Sequence, residues 1–179
     1  MRAYKVLREG RSIFTGLRWP LPDGDRPGGW VHASGSLALC TNGIHAATGD
    51  QLPHWLGGEI WEIELGGEIL ELDAALIASR ARLLRRLDAW NEELRREFAG
   101  RCLDRARELA GSYPAGAGLV DKVAHTIWWG GAAPAGYFTA MLAGERACGR
   151  HAGPDYDAAF ASERAIQAQW LRERLPLRG

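Results

Sequence analysis

Glu59-Ile60-Trp61-Glu62-Ile63-Glu64-Leu65-Gly66-Gly67-Glu68-Ile69-Leu70-Glu71-Leu72-Asp73 decides how the first half of this chain is read. Apolar and acidic side chains alternate on both sides of the glycine pair, the period of a strand with one buried face. A glycine pair between two such runs predicts a β-hairpin with a two-residue turn, and that turn fixes the register. Leu65 then faces Glu68, Glu64 faces Ile69, Ile63 faces Leu70, Glu62 faces Glu71 and Trp61 faces Leu72. Trp61, Ile63, Leu65, Leu70 and Leu72 share the apolar face, and Glu62, Glu64 and Glu71 share the other.

This register sets Glu62 directly against Glu71. Like charges at such a pair are unfavourable, so solvent, an arginine, a metal or a shared proton must offset them. One reading is a catalytic carboxylate pair, acting as acid and base or holding a cationic centre, with His45 beside it as a group that titrates near neutral pH. The other is an exposed acidic face, or one paired with Arg80, Arg82, Arg85 and Arg86. The arginine cluster reads equally as a grip for a carboxylate or phosphate. His32, Cys40 and His45 fall in one hairpin region, but they lack the close paired spacing of a zinc site and no fourth ligand stands near, so no metal is expected.

Outward from this stretch, residues 1–87 read as a small, mostly antiparallel β-module. Ala3–Leu7 and Trp30–Ala33 are short strands, and Pro20–Gly29 is a turn-rich loop. Leu37–Thr41 and Ile44–Ala47 flank Asn42-Gly43, a strong hairpin signal. Asp50–Leu56 is one or two helical turns, and Ala78–Leu87 fits either a last strand or a helix start. Residues 88–179 read as helices that cap the module. Asp88 is the expected N-cap of a helix over 89–110, on the spacing of Trp90, Leu94, Phe98, Cys102 and Leu109. Leu119–Trp129 and Ala135–Cys148 form a helical pair, and Asp155–Leu175 a final amphipathic helix with Tyr156, Phe160, Ile166, Trp170 and Leu175 inward. The fold class is α+β.

Composition narrows the function classes. The chain has 179 residues, 46% apolar and 25% charged, with 22 basic and 22 acidic side chains. At this length roughly 70% of the extended-chain surface is buried, which allows a real core. Zero net charge and the lack of aromatic interleaving with basic residues argue against a nucleic-acid partner. Residues 1–73 carry six basic and ten acidic side chains, so the second half is the more basic and the two halves attract. Only Lys5 and Lys122 are lysines, against 20 arginines. Three scattered cysteines imply no disulfide framework, and no apolar export segment opens the chain, so a reducing cytoplasm is expected. Residues 123–144 hold no charged side chain but are broken by glycines and Pro134, which reads as a buried helix pair and not a membrane span. Neither a Gly-rich phosphate loop nor a Gly-x-Ser-x-Gly elbow is present.

Several residues carry a resemblance. Tyr4-Lys5, Gly16, Gly29-Trp30, Leu39-Cys40, Gly43-Ile44-His45-Ala46 and the Glu59–Leu70 stretch resemble a module of uncharacterised bacterial and phage proteins. With the closing Glu163-Arg164, Gln167 and Trp170-Leu171, the whole chain resembles an actinobacterial hypothetical-protein family, and neither likeness implies an activity. Over about the first 75 residues the order of Tyr4, Ile44-His45-Ala46-Ala47-Thr48, the 50–56 turn and the 59–73 stretch is distantly similar to small ADP-ribosyltransferases of the rifamycin-modifying type. There His45 stands where that family has a tyrosine, and the first-strand histidine is missing.

The resemblance implies NAD as cofactor. Tyr4 and His45 would hold the nicotinamide nucleotide, and Glu62, Glu71 or Asp73 would face the cationic transition state. Trp55 and Arg82 complete the expected cofactor-binding set, as an aromatic wall and a phosphate grip. Two other readings stand beside it. One is a non-catalytic module that docks a protein partner or a second copy of the chain. The other is a cofactor-independent enzyme whose Trp19, Trp30, Trp55 and Trp61 shape a pocket for an apolar substrate. In His125, Trp128 and Trp129 the sequence offers either a functional or a core histidine.

Overall fold

The computed structural model describes residues 1–39, 41–128, 131–149 and 152–177. The fold is α+β. Among the described residues, an antiparallel, curled sheet of six strands occupies the first half and four α-helices the second. The chain divides into two compact units, Met1–Trp90 with Arg174–Gly179, and Asn91–Glu173.

The strands are β1 (Arg2–Arg8), β2 (Arg11–Ser12), β3 (Val31–His32), β4 (Ile44–Ala46), β5 (Glu59–Glu71) and β6 (Leu76–Arg86). Their order is β2-β1-β5-β6-β3, with β4 also on β6. The sheet curls until its far sides meet: Tyr4 N donates to Ala47 O at 2.8 Å and Ala47 N to Tyr4 O at 2.9 Å. Ala3, Leu7, Trp19, Ile44, Ala46, Trp61, Ile63, Leu65, Leu76, Ala78, Ala81 and Leu83 fill the hollow. Each large aliphatic side chain buried there stabilises the fold by about 1.5–3 kcal/mol.

The expected hairpin at Gly66-Gly67 is not formed. β5 runs through the doublet as one strand and pairs along its length with β6. Gly66 pairs with Arg80 and Ile69 with Ala78, three steps on β5 against two on β6, so the doublet is a bulge. Gly67 takes φ +72°, and a Cβ there would lie 2.1 Å from Ser79 Oγ. That hydroxyl accepts the Glu68 amide at 3.0 Å, which satisfies the group the bulge takes out of the ladder. The chain reverses later, where Leu72 N donates to Ala75 O at 2.9 Å. The reason is partner availability. Kept straight, Glu59–Glu64 gains β1 on one edge and β6 on the other, whereas a turn at the doublet would give it only its own other arm.

Other expectations shift in the same way. Leu37–Thr41 makes no ladder with β4. Only Ala38 and Asn42 bridge, and Asn42 Nδ2 instead donates to Ser34 O at 2.7 Å and Ser36 O at 2.8 Å. β4 pairs with β6, and the 50–56 segment holds one 3₁₀ turn, Leu52–His54. Ala78–Leu87 resolves as strand.

The helical unit holds α1 (Glu92–Gly111), α2 (Ala117–Trp128), α3 (Ala132–Cys148) and α4 (Pro154–Arg174). Asn91, and not Asp88, caps α1: its Oδ1 accepts from Leu94 N at 2.9 Å, a cap worth about 1 kcal/mol. Asp88 is engaged by Arg86 Nε at 2.6 Å. Gly136, Ala140 and Gly144 recur at i, i+4 and make a shallow stripe on α3. A Cβ on Gly144 would sit 2.5 Å from the Tyr156 ring, and one on Gly136 would sit 2.8 Å from Gln167 Oε1, so α4 lies in that stripe. The inward side of α4 therefore carries Glu163, Arg164, Gln167, Trp170 and Leu171, while Ile166, expected inside, is exposed. Phe98 packs on Trp170 with ring centroids 5.5 Å apart. Among the described residues no helix is long and apolar enough to cross a membrane.

Candidate functional site

The curl of the sheet gathers three of the expected residues. Tyr4 pairs in register with Glu62 on β5 and bridges Ala47 beside β4. Side chains at 45 and 47 share a face by alternation, so Tyr4, His45 and Glu62 lie on one side of the sheet. Tyr4 and Glu62 are buried, and His45 is partly exposed. Burial, then the nearby Lys5 charge, hold the His45 imidazole below its ordinary pKa, although a backbone hydrogen bond at Gly43 acts the other way.

Glu62 and Glu71 are not brought together. They stand at opposite ends of β5, Glu62 opposite Arg85 and the exposed Glu71 opposite Leu76. Glu62 Oε1 accepts from Arg2 Nη1 at 2.5 Å and Oε2 from Arg85 Nε at 2.6 Å. Burial alone would raise the Glu62 pKa, but the two guanidiniums outweigh it and keep the carboxyl below its ordinary value. The result is a fixed, doubly neutralised anion. A carboxylate that must meet a developing cation needs an oxygen free of guanidinium, so this geometry does not fit the chemistry expected of a nicotinamide-ribose site.

The remaining expected residues are spread out. Trp55 Nε1 donates to Ala74 O at 2.6 Å, which ties it to the β5–β6 reversal. Arg82 Nε donates to Glu64 Oε2 at 2.7 Å and its guanidinium lies 4.8 Å over the Trp30 ring, beside that of Arg80. Arg86 binds Asp88 and reaches Glu59 at 3.8 Å, so the arginine cluster answers the acidic strand across the ladder. Trp19 and Trp61 belong to the core and donate to Ser12 Oγ and Glu59 Oε2. The four tryptophans line no common pocket. His32 is exposed opposite Arg80, and Cys40 lies outside the described residues. Among the described residues no three metal-ligating side chains gather. His125 is exposed on α2, while the Trp128 side chain and Trp129 lie outside the description.

Two features were not read from the sequence. The first is a groove in the helical unit. A cavity of about 370 Å³ lies between α1, α3 and α4, with Leu109, Ala143 and Ile166 as apolar lining and Arg105, Arg146 and Ser162 as polar groups. A second, of about 160 Å³, continues between α1 and α4 past Phe98, Gln167 and Trp170. Both are lined by Arg105 and Glu163, so that ion pair stands between them. Arg105 Nε donates to Glu163 Oε2 at 3.1 Å, and Nη1 to Glu108 Oε2 at 3.1 Å. Burial works to lower the Arg105 pKa, but the two carboxylates outweigh it. Arg146 makes no ion pair among the described residues and keeps its charge for a ligand. Close by, Cys102 is buried, its thiol pushed up to about 12 mainly by burial and next by Glu163.

The second feature is Lys5. Its Nζ donates to His45 O at 2.7 Å and lies 5.7 Å from the Trp19 ring centroid. Burial lowers its pKa to about 8. The signal was present in the composition, since lysine is nearly absent from a chain that uses arginine for surface charge. Comparison of the chain with protein-family models, with curated proteins and with solved structures gave no match.

Proposed function

We propose that this chain binds a small molecule, and that the ligand is an anion of modest size with an apolar body, held in the groove between α1, α3 and α4. The carrying observation is the 370 Å³ cavity, a volume within the usual range for small-ligand sites, with an unpaired guanidinium on an apolar lining. Arg105 is already matched by Glu163 and Glu108, which leaves Arg146 to meet a carboxylate or phosphate and Ser162 to donate beside it. Leu109, Ala143 and Ile166 suit a short hydrocarbon or single ring.

The likeness to ADP-ribosyltransferases supplies the second reading, favoured by the register that sets Tyr4, His45 and Glu62 on one face. The guanidiniums on Glu62 weigh against transfer, so what this reading retains is nicotinamide-nucleotide binding in the β-rich unit.

Thermal unfolding with hexanoate, phenyl phosphate or NAD separates the two. A ligand at 100 times its Kd adds about 2.7 kcal/mol. The first reading expects a shift with hexanoate or phenyl phosphate that Arg146→Glu abolishes. A shift with NAD alone, untouched by Arg146→Glu, overturns it in favour of the second. No shift with any of the three at millimolar concentration overturns both.

A further inference from the structure

We propose that Lys5 is a carbonyl-reactive amine, which forms an imine with small apolar aldehydes or ketones at the core side of the β1–β4 seam. This goes beyond the anion groove, which lies in the other unit, and the two stand or fall separately.

The placement carries the argument. Lys5 alternates with Ala3 and Leu7, the β1 residues that enter the core, so its stem runs on the core face of the strand. Its register partner on β5 is Trp61, and Trp19 lies under its amine. The amine meets a backbone carbonyl and an indole face, and no carboxylate lies within ion-pair distance among the described residues. An ammonium kept there for charge alone would be costly, because nothing compensates its lost hydration. Arginine, which this chain uses 20 times, holds its proton under all ordinary conditions, whereas lysine can release it and become a nucleophile. With its pKa near 8 the Lys5 amine is substantially neutral at physiological pH. The side chain is partly exposed, so a small reagent can approach. Its titratable neighbour is the His45 imidazole, held neutral by burial and by the Lys5 charge.

The step balances without an oxidant or reductant. The nitrogen lone pair forms a bond to the carbonyl carbon while the C=O π pair moves to oxygen. One amine proton passes to that oxygen and gives a carbinolamine. The second amine proton leaves with the hydroxyl as water, and the carbon–nitrogen double bond remains. The apolar walls of Trp19, Trp61, Ala46 and Leu7 fit an aldehyde or ketone with a short alkyl chain.

The test is reductive alkylation of the intact protein with propanal and cyanoborohydride, mapped by peptide mass spectrometry from pH 6 to 10. Lys122, exposed on α2, is the internal control. At pH 7.5 the neutral share of an amine of pKa about 8 exceeds that of an ordinary lysine about 200-fold, and the lower intrinsic nucleophilicity takes back part of that. Lys5 is expected to label at least tenfold faster than Lys122, with a rate that levels off above pH 8. Lys5→Arg, with circular dichroism as the check on folding, should remove the labelled peptide and leave Lys122 labelling unchanged. Should that variant fail to fold, the ratio in the unaltered protein decides. Labelling of Lys5 no faster than Lys122, or complete protection of Lys5 while Lys122 reacts, overturns the proposal.

Discussion

Glu62 on β5 and Arg85 on β6 face each other across the ladder, Oε2 to Nε at 2.6 Å, and Arg2 closes on the other oxygen from β1. One buried carboxylate thus joins three strands. Its arginines are about half exposed, 54% for Arg2 and 43% for Arg85, so they regain water if the carboxylate is lost. Glu62→Gln is therefore expected to cost about 1–3 kcal/mol, below the usual penalty for stranding a fully buried partner. The sign with pH follows from the lowered Glu62 pKa. Its contribution is complete above the ordinary carboxyl value and is lost as pH falls through the folded-state value. Urea unfolding from pH 3 to 7 should show a steeper acid loss in the parent than in Glu62→Gln.

Lys5 gives the opposite pH dependence. Below about pH 8 the folded chain carries a charge that burial disfavours. Between about 8 and 10.5 the unfolded chain holds a proton that the folded chain has released, so stability rises with pH. Lys5→Met should raise stability at pH 7 by up to about 3 kcal/mol and remove the rise across that window. Equal slopes in the two proteins would mean that the amine is hydrated in the fold.

Cys102 and Cys148 should differ in reactivity. Cys102 is buried with its thiol near 12, whereas Cys148 is partly exposed at the end of α3. Iodoacetamide at pH 8 is expected to modify Cys148 in the native protein and Cys102 only after denaturant is added, since the thiolate is the reacting form.

The stripe on α3 predicts a one-sided sensitivity. Gly144→Leu drives a side chain into the Tyr156 ring, where even a Cβ would lie 2.5 Å away, while Gly118 has open space around it. Gly144→Leu should destabilise the helical unit by roughly 2–4 kcal/mol, by the mechanism of overpacking. Gly118→Ala, within α2, should stabilise it slightly, by a few tenths to about 1 kcal/mol. Thermal denaturation of the two variants checks both.

Periodicity made the β-rich half, most of its strands and all four helices legible, because alternation and helical spacing are properties of the local run. The course of β5 was not, because Gly66-Gly67 suits a turn and a bulge alike, and the choice belongs to residues distant in the chain. The acids at 62 and 64 answer the arginines at 85 and 82, a match that exists only between strands, and the same arginines also read as a ligand grip. On α4 the inward side is polar, with Glu163, Arg164 and Gln167 set against the small residues of α3, so an apolar stripe pointed to Ile166 instead. The Tyr4–Glu62–His45 alignment was half legible. The residue types were visible, but the ion pairs that occupy Glu62 depend on β1 and β6 together.

The bent strand has a practical corollary for anyone who would graft onto this scaffold. A true two-residue loop accepts foreign sequence, because its tip projects into solvent and only its ends are fixed. Gly66 and Gly67 lie instead in the middle of a continuous ladder, with Ser79 already seated against the second of them. An epitope or linker spliced there would pry apart both halves of β5 from β6, whereas the reversal between Leu72 and Ala75 is the place where the chain has slack to give.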